Sequence, residues 1–302
     1  MSRATTHQAV VSRPAWTAYL ELLKPITWFP PMWAFACGLV ASGAALGDRW
    51  LFVLGGIALT GPLVCGTSQV VNDWFDRHVD AINEPHRPIP SGRVPGRRAL
   101  YFAVIWTVVS LCVAWILGPW VFGATVVAQI LAWAYSAPPF RLKLNGWWGN
   151  SAVGACYEGL PWVTAAAVLS AAMPTWHSMA AAALYSTGAH GIMTLNDFKS
   201  IEGDRRTGVR SLPARYGPET ASRLACWFMA VPQVGVIAML LYLGQPVFAA
   251  GVAAVLVAQL ILMRRLVRDP LGLAPWYNAT GVTLFVSGMM MTAFAIRAVL
   301  QA

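Results

Sequence analysis

LFVLGGIALTGPLVCGTSQVVNDWFDRHVD, residues 51–80, carries no charged side chain as far as Asn72 and then three aspartates in eight positions. A helix rises about 1.5 Å per residue, so the uncharged stretch 51–71 is long enough to cross about 30 Å of hydrocarbon. It reads as a membrane span with its acids at the edge of the bilayer. Working outward, comparable apolar stretches fall at approximately 29–46, 99–117, 120–138, 150–170, 176–195, 222–243, 246–263 and 277–298. The expected fold is therefore all-α, a polytopic integral-membrane bundle of nine transmembrane helices.

Composition agrees. Of 302 residues, 57% are hydrophobic and only 11% charged, against about 25% charged in an ordinary soluble domain. No polar segment between spans exceeds about 30 residues, so residues 1–302 are expected to be a single membrane domain with a short cytoplasmic N-terminal segment, 1–24. That segment lacks the short apolar core and small-residue cleavage site of a secretory signal. The formal charge of +9 is mostly a topology signal and does not point to nucleic acid. Nineteen of the 21 Lys and Arg residues lie on one side of the expected bundle, and only Arg49 and Arg297 fall opposite. The positive-inside rule then places the N-terminus and the charge-rich loops in the cytoplasm. Five cysteines, all within spans and without CxxC spacing, read as small buried apolar residues.

The acids behind residue 71 have a counterpart. NDWFDRHVD at 72–80 lies over NDFKSIEGD at 196–204, an offset of 124, and each is followed by a basic segment ending in a Ser/Pro cluster. Each motif ends an even-numbered span, four spans apart, a pattern suggesting an internal repeat whose halves meet at one site; functional convergence would look the same. If the helix continues past Val71, the 3 and 4 spacing of Asp73, Asp76 and Asp80 stacks three carboxylates on one face. Asp197 and Asp204, seven apart, again share a face, with Glu202 displaced around it and Ser200 where Asp76 would be.

Carboxylates so stacked require a cation. Oxygen ligands without His or Cys suit a hard one, and Mg²⁺ takes a few carboxylates while bridging to substrate phosphate. Interleaved Arg77, Arg87, Lys199, Arg205, Arg206 and Arg210 are suited to the outer oxygens of a diphosphate. A loop of solvated salt bridges is the alternative reading of either motif alone.

The strings NDxxDxxxDxxxEPxRPIPSG at 72–92 and NDFKSIEGDR at 196–205, joined by the expected nine spans, resemble the UbiA-type intramembrane prenyltransferases. The longer strings ELLKPITWFPPMWAFACG at 21–38, AYSAPPFRLK at 134–143, CYEGLPW at 156–162, GAHGIMTLNDFKSIEGDRRTGVRSLP at 188–213 and DPLGLAPWYNATGVTL at 269–284 resemble the chlorophyll-synthase branch of that superfamily. The resemblance implies transfer of the tail of geranylgeranyl or phytyl diphosphate to the C17 propionate of bacteriochlorophyllide a. It also implies two Mg²⁺ ions, replaceable by Mn²⁺, bridging the diphosphate. The setting it implies is a bacterial cytoplasmic membrane, inner or intracytoplasmic, with membrane lipid around the chain and a geranylgeranyl reductase or light-harvesting assembly proteins as partners. Ser200 departs from a pattern in which many members carry a carboxylate.

On this reading Asn72, Asp76 and Asp80 form a first metal cluster with Asp73 close behind, and Asp197 and Asp204 a second, with Glu202. Arg87, Lys143, Lys199 and Arg205 are the candidates for the diphosphate. Tyr135 is placed to shield an allyl cation or to anchor the interface. Glu158, an intramembrane carboxyl, orients the pigment or moves a proton, or makes a structural hydrogen bond. His190 ligates or hydrogen-bonds the pigment, or is a core histidine. The competing readings are a prenyltransferase for another acceptor (chlorophyllide, a quinone precursor or haem) and a non-catalytic pigment carrier or transporter. Acids at helix ends, outside mid-membrane, count against the last.

Overall fold

The computed structural model describes residues 15–302; of the expected N-terminal segment 1–24, residues 1–14 lie outside the described residues. Among those described, the chain is helical with no strand and one isolated bridge between Asn145 and Arg210. The helices are α1 (Ala15–Leu23), α2 (Phe29–Ala41), a composite α3 (Gly47–Asn83), α4 (Arg98–Leu117), α5 (Pro119–Ser136), a composite α6 (Gly146–Ser170) and α7 (Trp176–Asn196). Two short helices follow, α8 (Ile201–Thr207) and α9 (Leu212–Tyr216), then α10 (Pro218–Tyr242), α11 (Pro246–Arg268) and α12 (Pro270–Gln301).

Each of the nine expected spans falls on a helix, but the boundaries and the number of helices long and apolar enough to cross differ from expectation. Six helices (α3, α4, α6, α10, α11 and α12) are long and apolar enough to cross a membrane. The first expected span, 29–46, stops at Ala41 because Ser42 turns its hydroxyl back to the Leu39 carbonyl and Gly43 takes a positive φ of 68°. Its 13 residues extend only about 20 Å at about 1.5 Å each. The last span begins seven residues before the expected 277. Pro270 suits the first helical position, and the Asp269 carboxylate accepts the Gly272 amide at 3.0 Å, a good N-cap.

Two of the helices widen at mid-length. Leu59–Cys65 in α3 and Ala155–Gly159 in α6 are π-helical. Pro62 inside the first has no N–H to give the helical ladder, and its own carbonyl accepts the Trp106 indole at 3.0 Å. Such widened turns recur at functional sites. Here they carry Cys65, Tyr157 and Glu158 onto cavity walls.

The interior is assembled around α2, α6, α7, α10 and α12, with α3, α4 and α5 closing a second layer against α2 and α6. Helix α2 lies so close to α6 that a Cβ at Gly38 would overlap the Trp162 carbonyl oxygen and come within 2.9 Å of Ala165 Cβ. The five cysteines are free; Cys37 and Cys65 are buried as expected, whereas Cys112 is exposed on the outer face of α4.

Overpacking such a contact costs about 1–3 kcal/mol. Gly38→Ala is therefore expected to lower the melting temperature of the detergent-purified protein. Gly123→Ala, whose added Cβ meets nothing within 4 Å, should leave it nearly unchanged. Equal melting of the two variants would show that α2 and α6 do not cross this closely.

Candidate functional site

The first acidic motif stays helical through Asn83, as the 3 and 4 spacing predicts, and each of its three aspartates has its own protein cation. Asp73, with a side chain only 3% exposed, takes the Lys24 ammonium at 2.6 Å. Asp76 takes Lys143 with both carboxylate oxygens. Asp80 takes Arg87 at 3.0 Å, and the same guanidinium lies 3.6 Å from Asp73. The Asn72 amide donates to Asp76 at 3.1 Å and to Ser136 Oγ at 3.2 Å. The cation that stacked carboxylates call for is thus supplied from two distant parts of the chain, at Lys24 and Lys143, and from the adjoining loop at Arg87.

The second motif does not continue as one helix. Helix α7 ends at Asn196, a tight 3₁₀ turn covers Asp197–Ser200, and α8 begins at Ile201. The Ser200 hydroxyl bridges the break, lying 3.0 Å both from the Asp197 carbonyl and from an Asp204 carboxylate oxygen. Asp197 accepts the Asn150 amide at 3.2 Å, and Asp204 accepts Ser211 Oγ at 2.5 Å. The backbone pairing Gly146 N–H to Arg210 O and Arg210 N–H to Leu144 O, each 2.9 Å, ties this loop to the one carrying Lys143. Gly146 is required for that approach: a Cβ there would come within 2.7 Å of the Leu212 nitrogen.

Both motifs open on one polar cavity of about 520 Å³. Asn72, Asp76 and Arg87 line it from one side; Asn150, Asp197 and Asp204 line it from the other, with Tyr135 and Lys143 between. Other expected residues lie elsewhere. Asp73 and Asp80 sit behind the wall, holding Lys24 and Arg87. Lys199 is exposed and off the cavity. Glu202 turns to solvent and pairs with Arg206 one turn on, and Arg205 donates to the Ala214 carbonyl at 3.3 Å. His190 is buried, stacked on Phe228 with ring centroids 4.1 Å apart, and lines none of the cavities described here.

Beneath the polar cavity lies an apolar one of about 200 Å³, which shares Asn72 and Tyr135 with it and adds Cys65, Gln69 and Tyr157. A third, of about 310 Å³, shares Tyr157 and Met193 with the second and opens between α2, α7 and α12. Glu158 lines this third cavity with one carboxyl oxygen unpartnered, as does Asn278 with its amide oxygen. Sequence reasoning missed Lys24, Asn150 and Asn278, and noted Ser211 only as part of the Ser/Pro cluster after the second motif. Asn150 and Asn278 do stand out as amides in otherwise apolar runs; Lys24 carries no such signal.

Electrostatically the two walls differ. Burial lowers the Lys143 ammonium from its ordinary value, partly offset by Asp76. Burial likewise lowers Arg87, but Asp80 and Asp73 more than compensate and the net shift is upward. Burial pushes the Asp197 carboxyl up to about 7; Asp204 pushes the same way, while the Asn150 amide and Lys199 oppose. Among the described residues, no three His, Cys, Asp or Glu side chains converge into a ready metal cage. The cavity instead offers hard oxygen donors from two facing walls.

The model of the UbiA prenyltransferase family matches residues 29–297. The Bacteriochlorophyll synthase 33 kDa chain of Cereibacter sphaeroides is 60% identical over 95% of this chain and 95% of its own. Chlorophyll synthase, chloroplastic, of Arabidopsis thaliana is 36% identical over 93% of this chain and 74% of its own. Among solved structures, a UbiA homolog from Archaeoglobus fulgidus bound to DMAPP and Mg²⁺ superposes with a TM-score of 0.74 at 21% identity, covering 93% of this chain and 99% of that one. At that identity the likeness bears on the fold alone.

Asp197 generates a pH-dependent prediction. An ordinary aspartate titrates near pH 4, so between about pH 4 and 7 the folded chain binds more proton than the unfolded one. Stability then falls as pH rises through that window. In chelator-treated protein, the melting temperature is expected to fall across it relative to Asp197→Asn, the gap being widest above pH 7. Parallel curves for the two proteins would show that Asp197 ionises as freely as an exposed carboxylate.

Proposed function

This chain belongs to the UbiA prenyltransferase family, and on that premise we propose that it transfers a C20 prenyl group, geranylgeranyl or phytyl, from its diphosphate to the C17 propionate of bacteriochlorophyllide a. It is a multi-pass membrane transferase. The 60% identity to a bacteriochlorophyll synthase chain across nearly the whole of both proteins supports the acceptor. One structural observation carries the site: two acidic motifs 124 residues apart line a single polar cavity, which adjoins an apolar cavity that in turn borders a second one.

The chemistry asks little of a base. An allylic diphosphate ionises to a resonance-stabilised cation, and the main requirement is to stabilise negative charge growing on the leaving diphosphate. Lys143 and Arg87, already at the wall, are placed to meet its outer oxygens, Arg87 as a planar bidentate donor. Tyr135, shared by the polar cavity and the apolar one below it, presents an aromatic face where the allylic carbon would lie. The acceptor is itself a carboxylate, so it attacks without first losing a proton to the protein. Glu158 and Asn278, each with one side-chain oxygen unpartnered in the third cavity, are placed to hydrogen-bond polar groups of the tetrapyrrole.

The donors fit Mg²⁺, which takes one or two carboxylates and completes its shell with water and phosphate oxygens. Asn72 and Asp76 would hold it on one wall, and Asp197 and Asp204 on the other. When bound, the ions supply positive charge at the leaving group. The reading extends to placement: one domain working in a bacterial cytoplasmic membrane, with the polar cavity facing the cytoplasm, the side to which nineteen of 21 basic residues are assigned.

Asp76→Ala is expected to reduce tail transfer by at least about 10²-fold, the scale of losing one electrostatic stabiliser, while the protein still inserts in membranes. The assay supplies purified membranes with labelled geranylgeranyl diphosphate, bacteriochlorophyllide a and Mg²⁺, and reads the pigment ester by chromatography. Undiminished Mg²⁺-dependent ester formation would overturn the site. Glu158→Leu is expected to raise KM for the pigment about tenfold, the worth of a buried hydrogen bond, with KM for the prenyl diphosphate unchanged. A rise confined to the diphosphate would remove Glu158 from the acceptor cavity.

A further inference from the structure

Away from the polar cavity, α10 and α11 enclose a groove of about 550 Å³. Arg223, Trp227 and Ala230 face it from α10; Leu260, Arg264 and Arg268 face it from α11. Spacings of three, four and eight keep each set on one side of its helix.

The groove is graded along its length. Arg223 lies in the second turn of α10, and Arg264 and Arg268 in the last turns of α11. The two helices are joined by the short connection 243–245 and run antiparallel, so the three guanidinium groups gather at one end. It is the end from which residues 197–217 reach the polar cavity. Ala230 and Leu260 lie seven and eight residues further along, about 10–12 Å deeper. Trp227, 67% exposed, stands between the two levels. Among the described residues no ion pair or side-chain hydrogen bond reaches any of the three guanidinium groups, and no carboxylate lines the groove.

A cluster of unpaired cations at the membrane edge, above an apolar furrow within it, has the charge and depth profile of a phospholipid. Phosphate oxygens match the Arg fork, a Trp at that level suits the interface, and basic pockets between membrane helices hold anionic head groups. We propose that this groove binds one anionic phospholipid of the bilayer, with its phosphate held by Arg223, Arg264 and Arg268 and an acyl chain lying along Trp227 and Leu260. The site is separate from the prenyl-transfer cavity and does not depend on the identity of the pigment acceptor.

The test uses the full-length protein in mixed micelles containing phosphatidylglycerol or phosphatidylcholine brominated on the acyl chains. Trp227 emission is isolated as the difference between the native chain and Trp227→Phe. Phosphatidylglycerol is expected to quench it at an at least about fivefold lower mole fraction than phosphatidylcholine, the factor that a single arginine near an anionic surface confers. The combined substitution Arg223→Gln, Arg264→Gln, Arg268→Gln should erase that preference while tail transfer persists, which verifies its fold. Equal quenching by the two lipids, or a preference that survives the triple variant, would overturn the proposal. So would displacement by inorganic phosphate alone, which would mark a soluble-anion site. Absence of quenching by either lipid would also refute it, since no acyl chain would then lie along Trp227.

Discussion

Charge neutralisation at the membrane edge is the constraint on which this architecture rests. Helix α3 brings three carboxylates out of the apolar layer on one face, two of them almost wholly covered, and an unpaired charge there would cost several kcal/mol. Lys24, Arg87 and Lys143 answer them one for one. These cations come from the end of α1, the loop after α3 and the loop after α5, so satisfying one helix face gathers three connections over one end of the bundle. The mouth of the cavity is the space those connections leave. An incoming diphosphate therefore meets cations that are already desolvated and held in place, and can exchange partners with carboxylates already present.

Much of this was legible in the residues. The 3 and 4 spacing predicted the shared face of Asp73, Asp76 and Asp80, and the offset of 124 predicted that the second motif would be brought to the first. The pairing of individual charges was not legible, because it depends on which loops pass over α3, and nothing local in ELLKPITW distinguishes Lys24 from a topology anchor. The spacing set Asp204 apart from Glu202, and the structure does the same for a different reason. The helix breaks at Asn196 and restarts with Ile201, so the seven-residue spacing that would align two acids on a continuous helix does not govern their directions. Span boundaries failed where a side chain or glycine turned the backbone: Ser42 and Gly43 shorten α2, and the Asp269 cap lengthens α12.

Depth is organised separately from charge. The two π-helical turns lie in α3 and α6, the first containing Pro62 and the second two residues before Pro161, prolines that disturb the regular ladder, and their residues line the cavities below the polar one. A regular helix with 3.6 residues per turn buries its face against neighbours of matching period. Widening one turn shifts the register and leaves unfilled space, which in a lipid-surrounded interior stays apolar. Cys65, Tyr157 and Glu158 border that space. The polar cavity thus opens downward into chambers shaped for apolar groups, the division that an amphiphilic donor and a flat pigment both require.

The two motifs are related in sequence but not equivalent in charge, and the difference bears on how the cavity would receive a cation. On the α3 wall every aspartate is matched by a lysine or arginine, so the wall is close to neutral. On the facing wall Asp197 is met by an amide and Asp204 by two hydroxyls, partners that orient a carboxylate without cancelling its charge. The two acids also repel each other, and Asp197 holds its proton up to about pH 7 in consequence of burial and that neighbour. A hard cation held by these two would meet charge that no lysine or arginine on this wall pairs directly. At Asp76 it must compete with Lys143. In the proposed reaction the α3 side would then offer the diphosphate cations next to the metal-holding Asn72 and Asp76, and the α7–α8 side would meet the metal with carboxylates that no lysine or arginine pairs.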